Sequence, residues 1–218
     1  MIVVIGAVSA GTAEGEVVPA GLAAQIATSA VAAGATVQVV TRLGEDAAGD
    51  AVLLALAGLG VGHVATLRDA AHATVIRPAS AEPSDPDPLD DDDAGAPATV
   101  ALVDAVVAAM PNQPTLDSDD VGLALRYLDG YRVIVVVHPR DDDIIREVVA
   151  ATAWATAHLV VVLRPGATAP AGLPVESVLL EADDEAEAVA ALLGRYVAAV
   201  DDGAAPVAAF QATIGAPV

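Results

Sequence analysis

Two uninterrupted apolar runs, YRVIVVVHP (Tyr131–Pro139) and HLVVVLRPG (His158–Gly166), constrain this chain more than any other feature. A strand with one wet face alternates apolar and polar residues, and these runs do not alternate. Both faces of each strand must therefore be buried, the condition of a parallel strand covered by helices. IVVIG (Ile2–Gly6) has the same character and ends in Gly. Helical patterns separate the strands. RDDDIIREVVAATAWATA follows the first run with its Asp residues at the positive helix end, and DDEAEAVAALLGRYVAAV follows a shorter strand, ESVLL. DSDDVGLALRYLDG is a capped amphipathic helix. This alternation implies a three-layer α/β/α fold with a mainly parallel central sheet.

The N-terminal part continues the pattern. EGEVVP is a short exposed strand. Leu22, Ile26, Ala30 and Ala33 share one helical face, and Gly34 ends that helix. TVQVVTRLG is a strand, and DAAGDAVLLALAGLG a helix with Asp46 as N-cap and Gly58 or Gly60 at its end. HVATL and HATVIR are short strand candidates. From Pro78 to Pro97 the composition changes to five prolines and an acidic run, which reads as a loop inserted into a single domain spanning 1–218. Asp90–Asp93 lacks the spaced ligands of a calcium loop and reads as solvated charge. TVALVDAVVAAMPN fits a helix lined by Val103, Val106, Val107 and Met110, or two short strands.

Hydrophobic residues make up 55% of the chain but aromatic ones only 2%, so the core is built from Ala, Val, Leu and Ile. No apolar run is long enough for a membrane span. MIVVIGAVSAG has no basic n-region and reads as a first strand rather than a signal peptide. Without cysteine there is no disulfide, thiolate metal site or Cys nucleophile, and the cytoplasm is the expected compartment. The formal net charge is −21 and lysine is absent. Such a surface repels nucleic acid and anionic membranes, which excludes both as partners. It serves solubility or adaptation to high salt.

In an open parallel sheet, ligands bind outside the C-terminal strand ends. That rule selects Gly6–Gly11, Arg42–Asp46, His138–Arg140 and Arg164–Gly166. GAVSAG lacks the middle Gly of a dinucleotide fingerprint and the Lys-Ser/Thr of a P-loop. His138 and Arg164 each end a buried strand, and Arg164 could fork onto a phosphate or carboxylate. Both also fit strands simply emerging into water. His63 and His158 have no metal-ligand partner at a useful spacing. No nucleophilic triad is grouped in the chain, and Trp154 reads as a core or interface residue.

AGLAAQIATSAVAAGATVQVVTRLGEDAAGDAVLLALAGLGVGHV resembles the N-terminal signature region of the ribokinase-like (PfkB) carbohydrate kinases. Gly21, Gly34, Gly44, Asp46, Gly49, Gly60 and Val61 fall in step with the family pattern. The likeness is specific from Ala20 to Val64 and covers most of the chain in outline. It implies a ribokinase-like fold with a small, eroded β lid, built from EGEVV, HATVIR and TVALVD, through which two copies pair. The implied ligand is a small molecule of the sugar, nucleoside or phosphate class, with Gly21, Gln25, Gly44 and Asp46 as its binding residues, joined by His138 and Arg164 from the strand-end rule.

The departures fall on the reactive positions. Ala10 stands where the family has a substrate-binding Asp, Ala20 replaces the first Gly of a pair, and Gln25 replaces a sugar-contacting Asn. In the family's Asn-x-x-Glu motif, which positions Mg²⁺, Glu185 remains and Ala182 stands for the Asn. Gly203 and Ala204 are the expected remnant of the anion-hole turn, with Pro206 at the catalytic Asp position. Proline supplies neither a carboxylate nor an N–H. The expectation is a degenerate member without phosphotransfer and without cofactor. The alternatives are a divergent kinase using ATP and Mg²⁺, with Asp201 or Asp202 as base and Glu185 for the metal, and an assembly protein with a vestigial pocket.

Overall fold

A computed structural model describes residues 1–13, 15–77 and 113–215. The Pro/Asp-rich stretch 78–97 and the ambiguous TVALVDAVVAAMPN lie outside these residues. The chain opens with β1 (Ile2–Ile5), β2 (Ser9–Ala13), β3 (Glu16–Ala20), α1 (Leu22–Ala32), β4 (Val37–Gly44), α2 (Ala47–Gly58) and β5 (Thr66–Asp69). After the undescribed segment come α3 (Ser118–Tyr127), β6 (Val133–Val137), α4 (Asp142–Ala155), β7 (His158–Leu163), β8 (Val178–Glu181), α5 (Glu187–Asp201) and α6 (Pro206–Gly215).

Six strands form one sheet in the order β5-β4-β1-β6-β7-β8, each neighbour parallel. The apolar runs behave as their composition requires. Val133, Val135 and Val137 of β6 face one layer, with Val160 and Val162 of β7 beside them; Ile134, Val136, Leu159 and Val161 face the other. On the first face lie α1, α2 and α5, through Ile26, Leu56 and Leu193. On the second lie α3 and α4, through Val121, Leu125, Ile144 and Val148. The result is the expected α/β/α sandwich, with a buried layer on each side of the sheet.

Aspartate, abundant in this chain, starts three of the helices. Asp46, Asp117 and Asp141 are the N-caps of α2, α3 and α4, accepting from the backbone N–H three residues on at 2.7, 2.9 and 3.0 Å. On α3 the cap is reciprocal, since Asp120 accepts in return from the Asp117 N–H at 3.2 Å.

Local expectations fail where tertiary pairing overrides pattern. The strand expected at HVATL sits later, at Thr66–Asp69, where it pairs β4. HATVIR makes only a single bridge, Ile76 to Ala10. EGEVVP does form a strand, β3, but its partner is β2 in an antiparallel ribbon separate from the central sheet. The stretch MIVVIGAVSAG, read as a first strand, holds β1 and the start of β2. Ala33 is the exposed C-cap of α1 rather than part of its buried face.

The scarcity of aromatic residues shows in how α1 meets α5. Ala23, Ala27 and Ala30 are fully buried, and Gly194 of α5 packs directly on the α1 backbone. A Cβ at Gly194 would lie 2.4 Å from the Ser29 Cβ and 2.7 Å from the Ala30 nitrogen. Gly194→Ala should therefore destabilise the protein by about 1–3 kcal/mol of overpacking, outweighing the ~1 kcal/mol that alanine gains in a helix interior. Denaturant unfolding checks this; a rise in the midpoint would show that the helices can separate without cost.

Candidate functional site

Parallel strands place all six C-terminal ends along one edge, and a crevice of about 400 Å³ opens there between β4, β1, β6 and β7. Thr41 and Arg42 line it from β4, His138 and Arg140 follow β6, Arg164 follows β7, and Asp184 comes from the loop after β8. A smaller cavity of about 30 Å³ adjoins it, bounded by Ser9, Arg42, Thr74 and Arg77. The turn after β1 is tied to β4 by the buried Thr41 hydroxyl, which accepts from the Val8 N–H at 3.2 Å.

An ion cluster dominates the crevice electrostatically. Asp184 Oδ2 accepts from Arg77 at 2.9 Å and lies 3.4 Å from the Arg164 guanidinium, while Oδ1 lies 3.2 Å from His138 Nδ1. The His138 ring is the largest influence holding this carboxyl well below the usual carboxylate range; burial works in the opposite direction, and Arg77 and Arg164 add to the lowering. His138 Nε2 donates to the Ala182 carbonyl at 2.8 Å. Its Nδ1 must then carry a second proton or turn a lone pair toward a carboxylate. The His138 side chain is only 5% exposed, and its backbone has φ of 50°, a left-handed conformation that a non-glycine residue adopts at a cost.

A second tether lies on the other side. Arg42 donates to Asp120 at 2.8 Å, the same carboxylate that closes the α3 capping box. The Arg42 Nε is buried with no partner among the described residues. Arg140 has no carboxylate partner among them.

Of the residues expected to bind ligand, His138 and Arg164 lie together at the crevice. Gly44 and Asp46 are used differently. The Gly44 N–H donates to the Thr74 hydroxyl at 2.9 Å, and Asp46 accepts from the Gly49 and Thr74 N–H groups, both at 2.7 Å. Burial raises the Asp46 carboxyl, but these backbone donors outweigh it and the net shift is down. A Cβ on Gly44 would lie 2.6 Å from the His72 oxygen and the Thr74 nitrogen. Both residues thus hold the 72–74 segment against β4. Gly21, at φ 94°, is the N-cap of α1, with no side chain capping that helix. Gln25 sits one turn in, its Oε1 buried and without a partner among the described residues. Ser9, 5% exposed, has a hydroxyl that likewise finds no partner among the described residues.

The C-terminal candidates are elsewhere. Because α5 leaves the end of β8, it returns to the N-terminal edge of the sheet. There Asp201 pairs with the Met1 amine at 2.6 Å. A Cβ on Gly203 would lie 3.4 Å from an Arg132 guanidinium nitrogen, beside the start of β6. Asp201, Asp202, Gly203, Ala204 and Pro206 therefore lie at the edge opposite the crevice, and α6 packs on α5 with Phe210 edge-on to Tyr196. An anion-hole turn at 203–204, or a base at 201 or 202, does not fit this placement. Glu185 is exposed in a turn where its N–H donates to Asp183, and it is not among the crevice residues. Among the described residues no group of three or more His, Asp or Glu could hold a metal.

Sequence reasoning missed Arg77 and Asp184. Arg77 reaches the cluster because its backbone N–H donates to the Ala10 carbonyl at 2.7 Å, a pairing with no sequence signature. Asp184 was hidden in an acidic stretch that reads as a solvated helix start. Arg42 was legible from the strand-end rule.

No family model matches the sequence, and no curated protein matches it. Solved structures do. A chain from E. coli assigned as a ribokinase II, in its apo form, superposes with a TM-score of 0.63 at 13% identity, over 97% of this chain and 90% of that one. The protein Sa239 gives 0.60 at 12%, over 100% and 94%. A fructokinase from Xylella fastidiosa gives 0.51 at 15%, over 98% and 68%. The chain spans about half the length, 52%, of a sugar kinase from Pyrococcus horikoshii. The fold is ribokinase-like.

The ion cluster has a pH signature. A carboxyl whose folded pKa is depressed contributes stability above its unfolded value, near 3.8 here, and loses it as pH falls. Asp184→Asn should lower the melting temperature at pH 7, and the gap to the native chain should close as pH falls from about 4 toward 2. Thermal melts across that range check it; a gap independent of pH would place the stabilisation elsewhere.

Proposed function

We propose that this chain is a degenerate, ribokinase-like relative of the PfkB carbohydrate kinases, a pseudokinase that binds a small ligand in the strand-end crevice without transferring phosphate. The observation that carries this reading is the state of Asp184, the one carboxylate lining the crevice among the described residues. Phosphotransfer to a hydroxyl needs a group that accepts its proton. Asp184 is engaged by His138, Arg77 and Arg164, which hold its carboxyl below the usual carboxylate range and occupy the oxygens a base would need. A missing general base costs about 10²–10⁴ in rate.

A ligand of the sugar, nucleoside or phosphate class is supported by the crevice volume and by the fold shared with a fructokinase. Residues 1–218 act as one domain in this reading. The β3 edge of the β2–β3 ribbon has no strand partner among the described residues, the kind of surface that a second copy covers.

The test is direct. Purified protein given ATP, Mg²⁺ and ribose, fructose or adenosine should form no phosphorylated product. Turnover near the ~10 s⁻¹ typical of enzymes would overturn the proposal. A thermal-shift panel of sugars, nucleosides and phosphates should contain a stabilising compound, worth about 2.7 kcal/mol at a hundredfold excess over Kd. A flat panel would instead favour an assembly protein with a vestigial pocket.

A further inference from the structure

The crevice holds more positive charge than its fold needs. In a chain of net charge −21 with nine basic side chains, all arginine, four gather here: Arg42, Arg77, Arg140 and Arg164. His138 adds a fifth nitrogen donor group. Two carboxylates face them, Asp184 toward Arg77, Arg164 and His138, and Asp120 toward Arg42. Among the described residues, Arg140 is left without a carboxylate partner and the buried Arg42 Nε without a hydrogen-bond partner.

The arrangement around Asp184 is that of a bound anion. Two guanidinium groups and an imidazole converge from three separate segments on one pair of oxygens, at 2.9, 3.4 and 3.2 Å. The anion is supplied by the chain's own loop, three residues beyond β8. That loop also holds His138 through the Ala182 carbonyl at 2.8 Å, a contact that does not involve the Asp184 side chain. The carboxylate can therefore leave while the histidine stays in place. A carboxylate carries one charge and two oxygens, whereas a phosphate monoester carries nearly two charges and three terminal oxygens, which suits two forks and a ring donor better.

Resting on the crevice reading above, we infer that Asp184 is a placeholder in an anion seat formed by Arg77, Arg164 and His138, and that a ligand bearing a dianionic phosphate displaces it. Binding in this seat exchanges one ion cluster for another, so affinity is set by the difference between ligand and placeholder. A neutral sugar cannot make that exchange.

Calorimetric titration with inorganic phosphate, ribose 5-phosphate and ADP, without Mg²⁺, distinguishes a bare phosphate site from one that also reads a sugar or a nucleoside. Asp184→Asn should bind phosphate about tenfold more tightly than the native chain, a difference of about 1.4 kcal/mol, and adding Arg164→Gln should cancel the gain. In the native chain, saturating phosphate should speed amide hydrogen exchange across residues 182–186 as the loop is released. Equal or weaker binding by Asp184→Asn overturns the placeholder, as does slower exchange of that loop, a measurement that does not depend on the variant folding. Binding of a neutral sugar or nucleoside with no response to any phosphate overturns the anion seat and leaves the crevice reading standing. No binding of any compound overturns both.

Discussion

The common direction of the six central strands governs the rest of the molecule. Parallel strands need crossovers, the crossovers are helices, and the helices cover both faces, so the strands themselves must be apolar throughout. Val133–Val137 and Leu159–Leu163 meet that demand with no polar side chain. The same direction gathers every C-terminal strand end on one edge. Polar residues that the strands cannot hold appear immediately beyond them, at His138 and Arg164, and they meet there because the sheet register brings β6 and β7 side by side. Reversing one strand would scatter the cluster.

Charge acts on two scales in this fold. Over the surface, the acidic excess favours solubility and repels polyanions. At the crevice, the chain places close to half of its cations against two carboxylates, in a partly buried setting where salt screens them less than at the surface. Asp120 shows how the two scales connect. It closes the α3 cap and also holds Arg42, so one carboxylate serves helix formation and the crevice wall together.

Much of this was readable from the chain alone. The sandwich, the strand runs, the Asp46 cap and the strand-end positions of His138 and Arg164 follow from local pattern and one topological rule. The failures share a cause. Asp201, Gly203 and Pro206 were aligned with a motif by spacing, but α5 carries them to the other edge, and helix direction cannot be seen in a residue count. Arg77 and Asp184 are far apart in sequence and join only through the Ala10 bridge and the β8 loop. Gly44 and Asp46 kept their motif while their polar groups went to the backbone of residues 72–74.

The choice of arginine in the crevice carries a chemical consequence. Lysine is absent from the chain, so none of the cations around this cavity is a primary amine. A lysine ammonium can lose its proton when buried and condense with a carbonyl, whereas a guanidinium stays charged and does not. An open-chain aldose or ketose held against Arg42, Arg77, Arg140 and Arg164 would be gripped by charge and hydrogen bonds yet never trapped as an imine. A reactive carbonyl compound brought into this cavity would meet no lysine amine with which to condense.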